Sequence, residues 1–578
     1  MAPQIHVRSR AARGTDIKTH GSKLAVIATA LLFIAAYGVA IYALWIGIDF
    51  GTHWDELVQY NILQLAYQSK IFLPRQYNYP SMIFWIDCAS VADKLLTMLY
   101  SGILEIPYSG IPEIPFDFSF FVLRARTLAM LISSLGAWWV FLALRCSDLA
   151  RPALAAALGG SIYVLSWEFG YHARWFTPDL VTAQFVALFV FFVAKAERVE
   201  NSRRWLTAAA VAAGLATATK YTAGGLVPAL WLYTLVRGRD SSSALLVTIA
   251  RQTAIAVGVY LVITPGTLLD PIRFAGDVRL DMYHYATGHV REYGVAPYDI
   301  HGFWRYLGRL WEYLTLAMLS PQPIIAAALA AVSIFGLVVG WCRSRALAVA
   351  LGFLIVFYSI FFSLHVVFIV RNFLILLPVF AYLAGVGFDA LIDRAVKMSS
   401  GRPRQAAILA TGMMLVIALG WNAWQQVAFG RSIADAQRQP LVRQVAQYLA
   451  RHSSVRVALS PSLAADIVAT GEPLPSNVTE AAQADQFIFR ASELSPDDHL
   501  TSWRATEHDT FDWIGPREVN LNYYPDWCGA DHAFILNMGA AERMGVVAVL
   551  SHQARPPQSE WCEQVRVDSQ GYLHLSPR

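Results

Sequence analysis

The sequence predicts an α-helical polytopic membrane protein of about eleven spans followed by a soluble α/β domain, and three observations carry that reading. Of 578 residues, 56% are hydrophobic and 15% charged, against about 25% charged in an average soluble chain, and the mean hydropathy is +0.42. Apolar runs near the length of about 20 residues that crosses a bilayer recur between Leu24 and Trp424. Alternate short loops between these runs all carry Lys or Arg, as cytoplasmic loops do. A formal net charge of +4 is too small to suggest a nucleic-acid partner.

The chain opens on a basic tail, residues 1–23, with Arg8, Arg10, Arg13, Lys18 and Lys23 against one acid, Asp16. That tail reads as cytoplasmic. Leu24 to Ile48 is the first span; its length and the lack of a small-residue cleavage site after it argue against a cleaved signal peptide. Asp55 and Glu56 therefore lie just beyond its outer end. Carboxylates close to hydrocarbon are costly to keep ionised and normally persist there for function. The bland alternative is a helix start with first-turn acids opposing the helix dipole.

An outer loop, 49–122, follows. It holds a helical stretch from Glu56 to Gln68, the segment Tyr77-Asn78-Tyr79-Pro80-Ser81, and an amphipathic run from Met82 to Tyr100 suited to the membrane interface. Ile106 to Phe118, rich in Pro and aromatics, reads as surface loop. Leu123 to Leu144 returns inward to the basic turn Arg145 to Arg151, and Pro152 to Ser166 goes out. The short outer link Trp167 to Asp179 contains His172, Arg174 and Thr177-Pro178-Asp179; the last three form a helix-start signal, so Asp179 is either a cap or an acid of the site. Leu180 to Ala194 leads to Lys195, Arg198, Arg203 and Arg204, and two further runs, 205–219 and 222–236, hinge at Lys220-Tyr221. Lys220 either snorkels or meets an anion.

The run 245–264 emerges into a second outer loop, 266–320, holding Tyr283, His284, Tyr285 and His289. Tyr283 and Tyr285 suit an interfacial aromatic belt or a sugar-stacking site. Pro323 to Trp341, Ala346 to Leu364, Phe373 to Leu391 and Ala406 to Trp424 complete the spans, with Arg371 at an outer edge. An odd count puts the C-terminal region, 430–578, on the outer side. Helical periodicity from Ala434 to Ala450 and strand-like Val455 to Leu459 and Val546 to Leu550 make it a small α/β domain, and Cys528 with Cys562 is its candidate disulfide. Cys88, Cys146 and Cys342 read as buried thiols. Asn477-Val478-Thr479 fits a glycosylation sequon. A divalent metal would draw on His284, His289 and Glu56, although the two histidines are five apart and so off the i, i+4 spacing.

Taken in order, the acidic pair after the first span, Tyr-Pro-Ser in the same loop, Arg-Trp-Phe-Thr-Pro-Asp before Leu180, and Gly214-Leu215-Ala216-Thr217-Ala218-Thr219-Lys220-Tyr221 resemble the GT-C superfamily of polyprenyl-phosphate-sugar glycosyltransferases. The nearest branch is that of protein O-mannosyltransferases and lipid A aminoarabinose transferases (glycosyltransferase family 39-like), over roughly 24–390. The resemblance implies that Asp55 deprotonates the acceptor hydroxyl, that Glu56 positions acceptor or metal, and that basic residues at outer span ends, here Lys220, Arg371 and Arg174, hold the lipid phosphate. Tyr79, His172, Asp179 and Tyr283 become candidates for the acceptor or sugar site. Tyr-Pro-Ser stands where the family commonly has His-Pro-Pro.

The expected enzyme is integral to a bacterial inner membrane with 430–578 in the periplasm, and takes a polyprenyl-phosphate sugar and a glycan, lipid or protein acceptor. The rivals are a lipid-linked sugar flippase, disfavoured because span centres are nearly free of charge, and a polymer ligase using a lipid-diphosphate oligosaccharide.

Overall fold

The computed structural model describes residues 19–48, 54–69, 71, 73–95, 118–199, 202–238, 242–287, 299–366, 369–397, 402–438 and 441–459, and beyond them 464, 467–468, 473–479 and the C-terminal strands. Cys528, Cys562 and His289 lie outside the described residues, and so does the side chain of His284.

The helices, in chain order, are α1 (Thr19–Trp45), α2 (Trp54–Ser69), α3 (Met82–Ser90), α4 (Phe118–Cys146), α5 (Pro152–Leu165), α6 (Trp167–His172), α7 (Pro178–Arg198), α8 (Arg203–Thr217), α9 (Leu226–Arg237), α10 (Ser242–Ile263), α11 (Gly266–Leu269), α12 (Pro271–Thr287), α13 (Ile300–Leu316), α14 (Pro323–Arg343), α15 (Arg345–Ser363), α16 (Leu377–Lys397), α17 (Arg402–Arg438) and α18 (Leu441–Arg451). Every apolar run read from the sequence forms a helix. Among the described residues, seven helical segments are long and apolar enough to cross a membrane: Val26–Trp45, Phe120–Cys146, Pro178–Arg198, Ser242–Ile263, Pro323–Arg343, Arg345–Ser363 and Val370–Lys397. Three of the remaining runs form shorter helices, α5, α8 and α9, of 14, 15 and 12 residues, below the roughly 20 that span hydrocarbon, while Ala406 to Trp424 lies within the 37-residue α17.

Burial follows position in the bundle. The span leading into α16 is the most enclosed, and α7 comes next. By contrast, α10 presents Leu246, Val247 and Val262 outward, as a lipid-facing helix does. Helices α14 and α16 cross closely enough that a Cβ on Gly336 would stand 1.9 Å from the Leu383 carbonyl oxygen, and one on Gly387 would stand 2.2 Å from that of Val332. Small residues at such crossings let backbones approach where lipid gives no hydrophobic drive to associate. At the basic-turn end, Asp389 of α16 accepts from the backbone N–H groups of Ala150 and Arg151 and pairs with Arg343 at 2.8 Å. Cys342, expected to be buried, is exposed on α14; at the end of a lipid-facing helix an apolar thiol needs no protein shell.

At the opposite end, α2 and α3 pack on the starts of α4 and α7 through Ile62, Leu63, Ile83, Phe84, Phe121, Phe176 and Val181. Two spans enter there through 3-10 turns, Tyr221–Gly225 before α9 and Val370–Leu376 before α16. Irregular backbone at membrane depth persists where protein or a cavity covers it. The loop 266–320, read from sequence as loop, is helical over much of its length: α11, α12 and α13. Asp299 begins α13 by accepting from Gly302 N–H at 2.6 Å.

Helix α17 runs unbroken past residue 430 to Arg438. Beyond it lie a four-stranded sheet, ordered β1 (Val457–Leu459), β2 (Gln486–Arg490), β5 (Val547–Ala554) and β4 (His532–Leu536), and a three-stranded one, ordered β3 (Glu518–Val519), β6 (Gln564–Val567) and β7 (Leu573–Ser576). β1 runs parallel to β2, and the other pairs are antiparallel. Asn477 of the sequon spends its side-chain N–H groups on the carbonyls of Leu449, His452 and Val455, closing the C-terminus of α18.

Candidate functional site

Four separate segments bring two acids and two cations to one point at the end of the bundle opposite the basic turns. Asp55 sits in the first turn of α2 and is 7% exposed. Its Oδ2 lies 2.9 Å from Arg371 Nη1 and accepts from the Tyr79 hydroxyl at 3.3 Å. Asp179 sits in the first turn of α7, just after Pro178, and is 3% exposed. It pairs with Lys220 through Oδ1, and Arg371 Nε stands 3.8 Å from its Oδ2. Lys220 also donates to Asn372 Oδ1. Arg371 is thus shared between two carboxylates, and Lys220 between a carboxylate and an amide. The Asp179 carboxylate turns to the two cations.

The local folds explain the convergence. Lys220 stands between the end of α8 at Thr217 and the 3-10 turn, and its ammonium reaches Asp179 of α7. Arg371 and Asn372 occupy consecutive positions of the other 3-10 turn, which aims both inward. Tyr79 belongs to the segment ahead of α3; Ser81 N–H donates to Thr264 Oγ1 at 3.3 Å and Tyr77 N–H to Asp277 Oδ2 at 2.8 Å, fastening that segment to α10 and α12. Burial beside the Asp55 carboxylate pushes the Tyr79 phenol well above its usual range, so it remains a hydrogen-bond donor.

Glu56, the next residue to Asp55, has another fate. It is fully buried, and Arg126 holds both its oxygens at 2.6 Å. Phe176 N–H also donates to Glu56 Oε1 at 2.9 Å, Arg126 Nη1 donates to the Ile48 carbonyl at 2.8 Å, and the guanidinium lies 4.7 Å from the Trp175 ring centroid. Glu56 was expected to position acceptor or metal; in this structure both its oxygens are engaged in a bidentate pair with Arg126. Among the described residues no group of three or more His, Cys, Asp or Glu side chains is arranged to hold a metal ion.

Arg174 is likewise put to structural use. It donates to the carbonyls of Ala43 at 2.6 Å and Ile46 at 2.7 Å and stacks over Phe429 at 5.0 Å, satisfying the last carbonyls of α1. It does not reach the Asp55 cluster. His172 is buried one layer behind, with Nε2 3.0 Å from Glu168 Oε2. Tyr283 is 65% exposed. Sequence reading missed Arg126, Asn372 and Asp281. The available signals were an arginine near a span mouth and a polar Arg-Asn pair inside an apolar run.

Residues 116–266 match the sequence profile of the family described as dolichyl-phosphate-mannose-protein mannosyltransferase. No curated protein matches the chain. Among solved structures, the ArnT of Cupriavidus metallidurans bound to undecaprenyl phosphate is 18% identical, with 91% of this chain and 99% of that one covered and a TM-score of 0.47. The archaeal oligosaccharyltransferase AglB of Archaeoglobus fulgidus, in complex with an inhibitory peptide and a dolichol-phosphate, is 8% identical, with 95% and 77% covered and a TM-score of 0.48. The Pmt1–Pmt2 protein O-mannosyltransferase complex of S. cerevisiae bound to the sugar donor is 17% identical over 43% of this chain and 34% of that one, with a TM-score of 0.29. The stretch of this chain that is similar to the mannosyltransferase profile is thus residues 116–266, which carries Arg174, Asp179 and Lys220.

Proposed function

We propose that this integral membrane protein transfers a sugar from a polyprenyl-phosphate donor to an acceptor hydroxyl on the extracytoplasmic face of a bacterial inner membrane, with inversion at the anomeric carbon. The observation that carries the reading is the meeting of Asp55, Asp179, Lys220 and Arg371 from four segments at one outer point. In-line attack needs a base on the acceptor side and cations on the leaving phosphate. Asp55 supplies the base; Lys220 and Arg371 supply the cations.

A phosphate reaching Arg371 takes over one of its two carboxylate contacts, which turns Asp55 toward the acceptor hydroxyl. Tyr79, donating to the same Asp55 oxygen, keeps the carboxylate oriented. Lys220 just before one 3-10 turn and Arg371 within the other lie where apolar spans begin, which suits the phosphate of a prenyl lipid. The domain beyond residue 430 then faces the periplasm and is the natural place for acceptor docking.

Purified protein in nanodiscs, supplied with its co-purified lipid, tests the reading. Mass spectrometry should find a glycosylated prenyl monophosphate, and Asp55→Asn should abolish its consumption in the presence of acceptor. A lipid diphosphate oligosaccharide in its place would mark a polymer ligase, and flux of a labelled sugar lipid across vesicles without acceptor would mark a flippase.

A further inference from the structure

Helix α12 carries Asp277, Asp281 and Tyr285 at i, i+4 and i+8 and so on one face. The two outer members are fastened to the site. Asp277 accepts from Tyr77 N–H at 2.8 Å, and Tyr285 accepts from Val366 N–H at 3.2 Å through its carbonyl and bonds Asn372 through its hydroxyl. Asp281 lies between these anchors, half-buried, with the Lys220 ammonium and the Asp55 carboxylate in electrostatic reach. The phenols of Tyr221 and Tyr285 face it as well. No described residue forms a hydrogen bond or ion pair with its side chain. Counting Asp281, the site holds three carboxylates against two cations.

We infer that Asp281 is a charge-selecting residue, disfavouring a prenyl phosphate monoester more than a singly charged glycosyl phosphodiester and so expelling the spent lipid after transfer. The inference rests on the proposed donor class. In the transfer step the bond between the anomeric carbon and the phosphate oxygen breaks and its electron pair stays on the phosphate. The acceptor oxygen bonds the anomeric carbon, and the acceptor proton passes to Asp55. The donor carries one negative charge, and the released monoester approaches two at neutral pH. A fixed carboxylate near Lys220 repels the product about twice as strongly as the donor. Burial, reinforced by Asp55 and opposed by Lys220, holds the Asp281 carboxyl up to about 6. The repulsion is therefore present at pH 8 and gone at pH 5.

Binding of undecaprenyl phosphate and of mannosyl-phosphoundecaprenol to the full-length protein in detergent, followed by intrinsic fluorescence, tests this. Asp281→Asn should bind undecaprenyl phosphate about fivefold tighter than wild type at pH 8, and the mannosyl lipid about twofold tighter, on a Coulomb estimate across a partly screened site. The gap should close at pH 5, Asp281→Glu should match wild type, and all variants should melt within a few degrees of it. Equal affinities at pH 8, or a gap that persists at pH 5, overturns charge selection. Lys220→Met separates the two levels: if it weakens binding while Asp281→Asn changes nothing, charge selection alone falls. If wild type binds neither lipid, or binds as Lys220→Met does, the phosphate site falls and the inference with it.

Discussion

Asp55 and Glu56 are adjacent carboxylates in the same helical turn, and each meets an arginine, yet the two pairs differ in kind. Among the described residues, Arg126 pairs with Glu56 bidentately, donates to the Ile48 carbonyl and lies over the Trp175 ring. Arg371 divides itself between Asp55 at 2.9 Å and Asp179 at 3.8 Å. A saturated pair is a fastener: breaking it strands a buried charge, and nothing is gained by opening it. A shared pair can exchange partners, since an incoming anion replaces one carboxylate by another negative group. Stability and chemistry are thus allotted to neighbouring residues by how completely their partners are used.

The largest effect expected is on turnover. Asp55→Asn should lower donor-dependent transfer by about 10² to 10⁴, the usual contribution of a positioned base, with melting unchanged; full turnover in that variant would erase the distinction between the two acids. Glu56→Gln should instead lower stability by about 3–5 kcal/mol, because it leaves Arg126 charged and buried. Glu56→Gln with Arg126→Met should recover most of that loss in a melting assay. An inactive Glu56→Gln protein that melts normally would make Glu56 a member of the site after all.

Lys220→Met should weaken prenyl phosphate binding roughly tenfold or more, the worth of one charge-assisted hydrogen bond, with little change in melting if Asp179 retains Arg371. Unchanged affinity would move the phosphate elsewhere. At the small end stands Arg124–Asp93, a surface pair whose partners are 40% and 53% exposed. Solvent screens such pairs, and Asp93→Asn should shift neither melting nor transfer. A measurable loss there would mean that exposure is not what separates the pairs.

How much of this could be read in the chain depends on distance in sequence. The first span ends where hydropathy places it, and Asp55 follows at its mouth, so its position was legible. The role separating it from Glu56 was not, because Arg126 lies 70 residues from Glu56, and nothing local ties the two. Arg174 carried the same ambiguity: an arginine in an outer link can face a phosphate or cap a helix, and here the carbonyls of α1 take it. Asp281 was hidden for a further reason. It sits in a stretch whose mixed polarity reads as loop, and only as part of α12 does it share a face with Asp277 and Tyr285.

Composition and hydropathy determined that the chain is helical and membrane-embedded, which ends of its spans carry positive charge, and which acids and cations stand at the other ends. These are consequences of transfer free energy, summed residue by residue along the chain. Which acid meets which cation, and whether the meeting is closed or shared, was decided by the tertiary structure alone. Those pairings depend on separations of a few ångströms between residues that the sequence holds 41 to 316 positions apart, and a linear pattern contains no such distances.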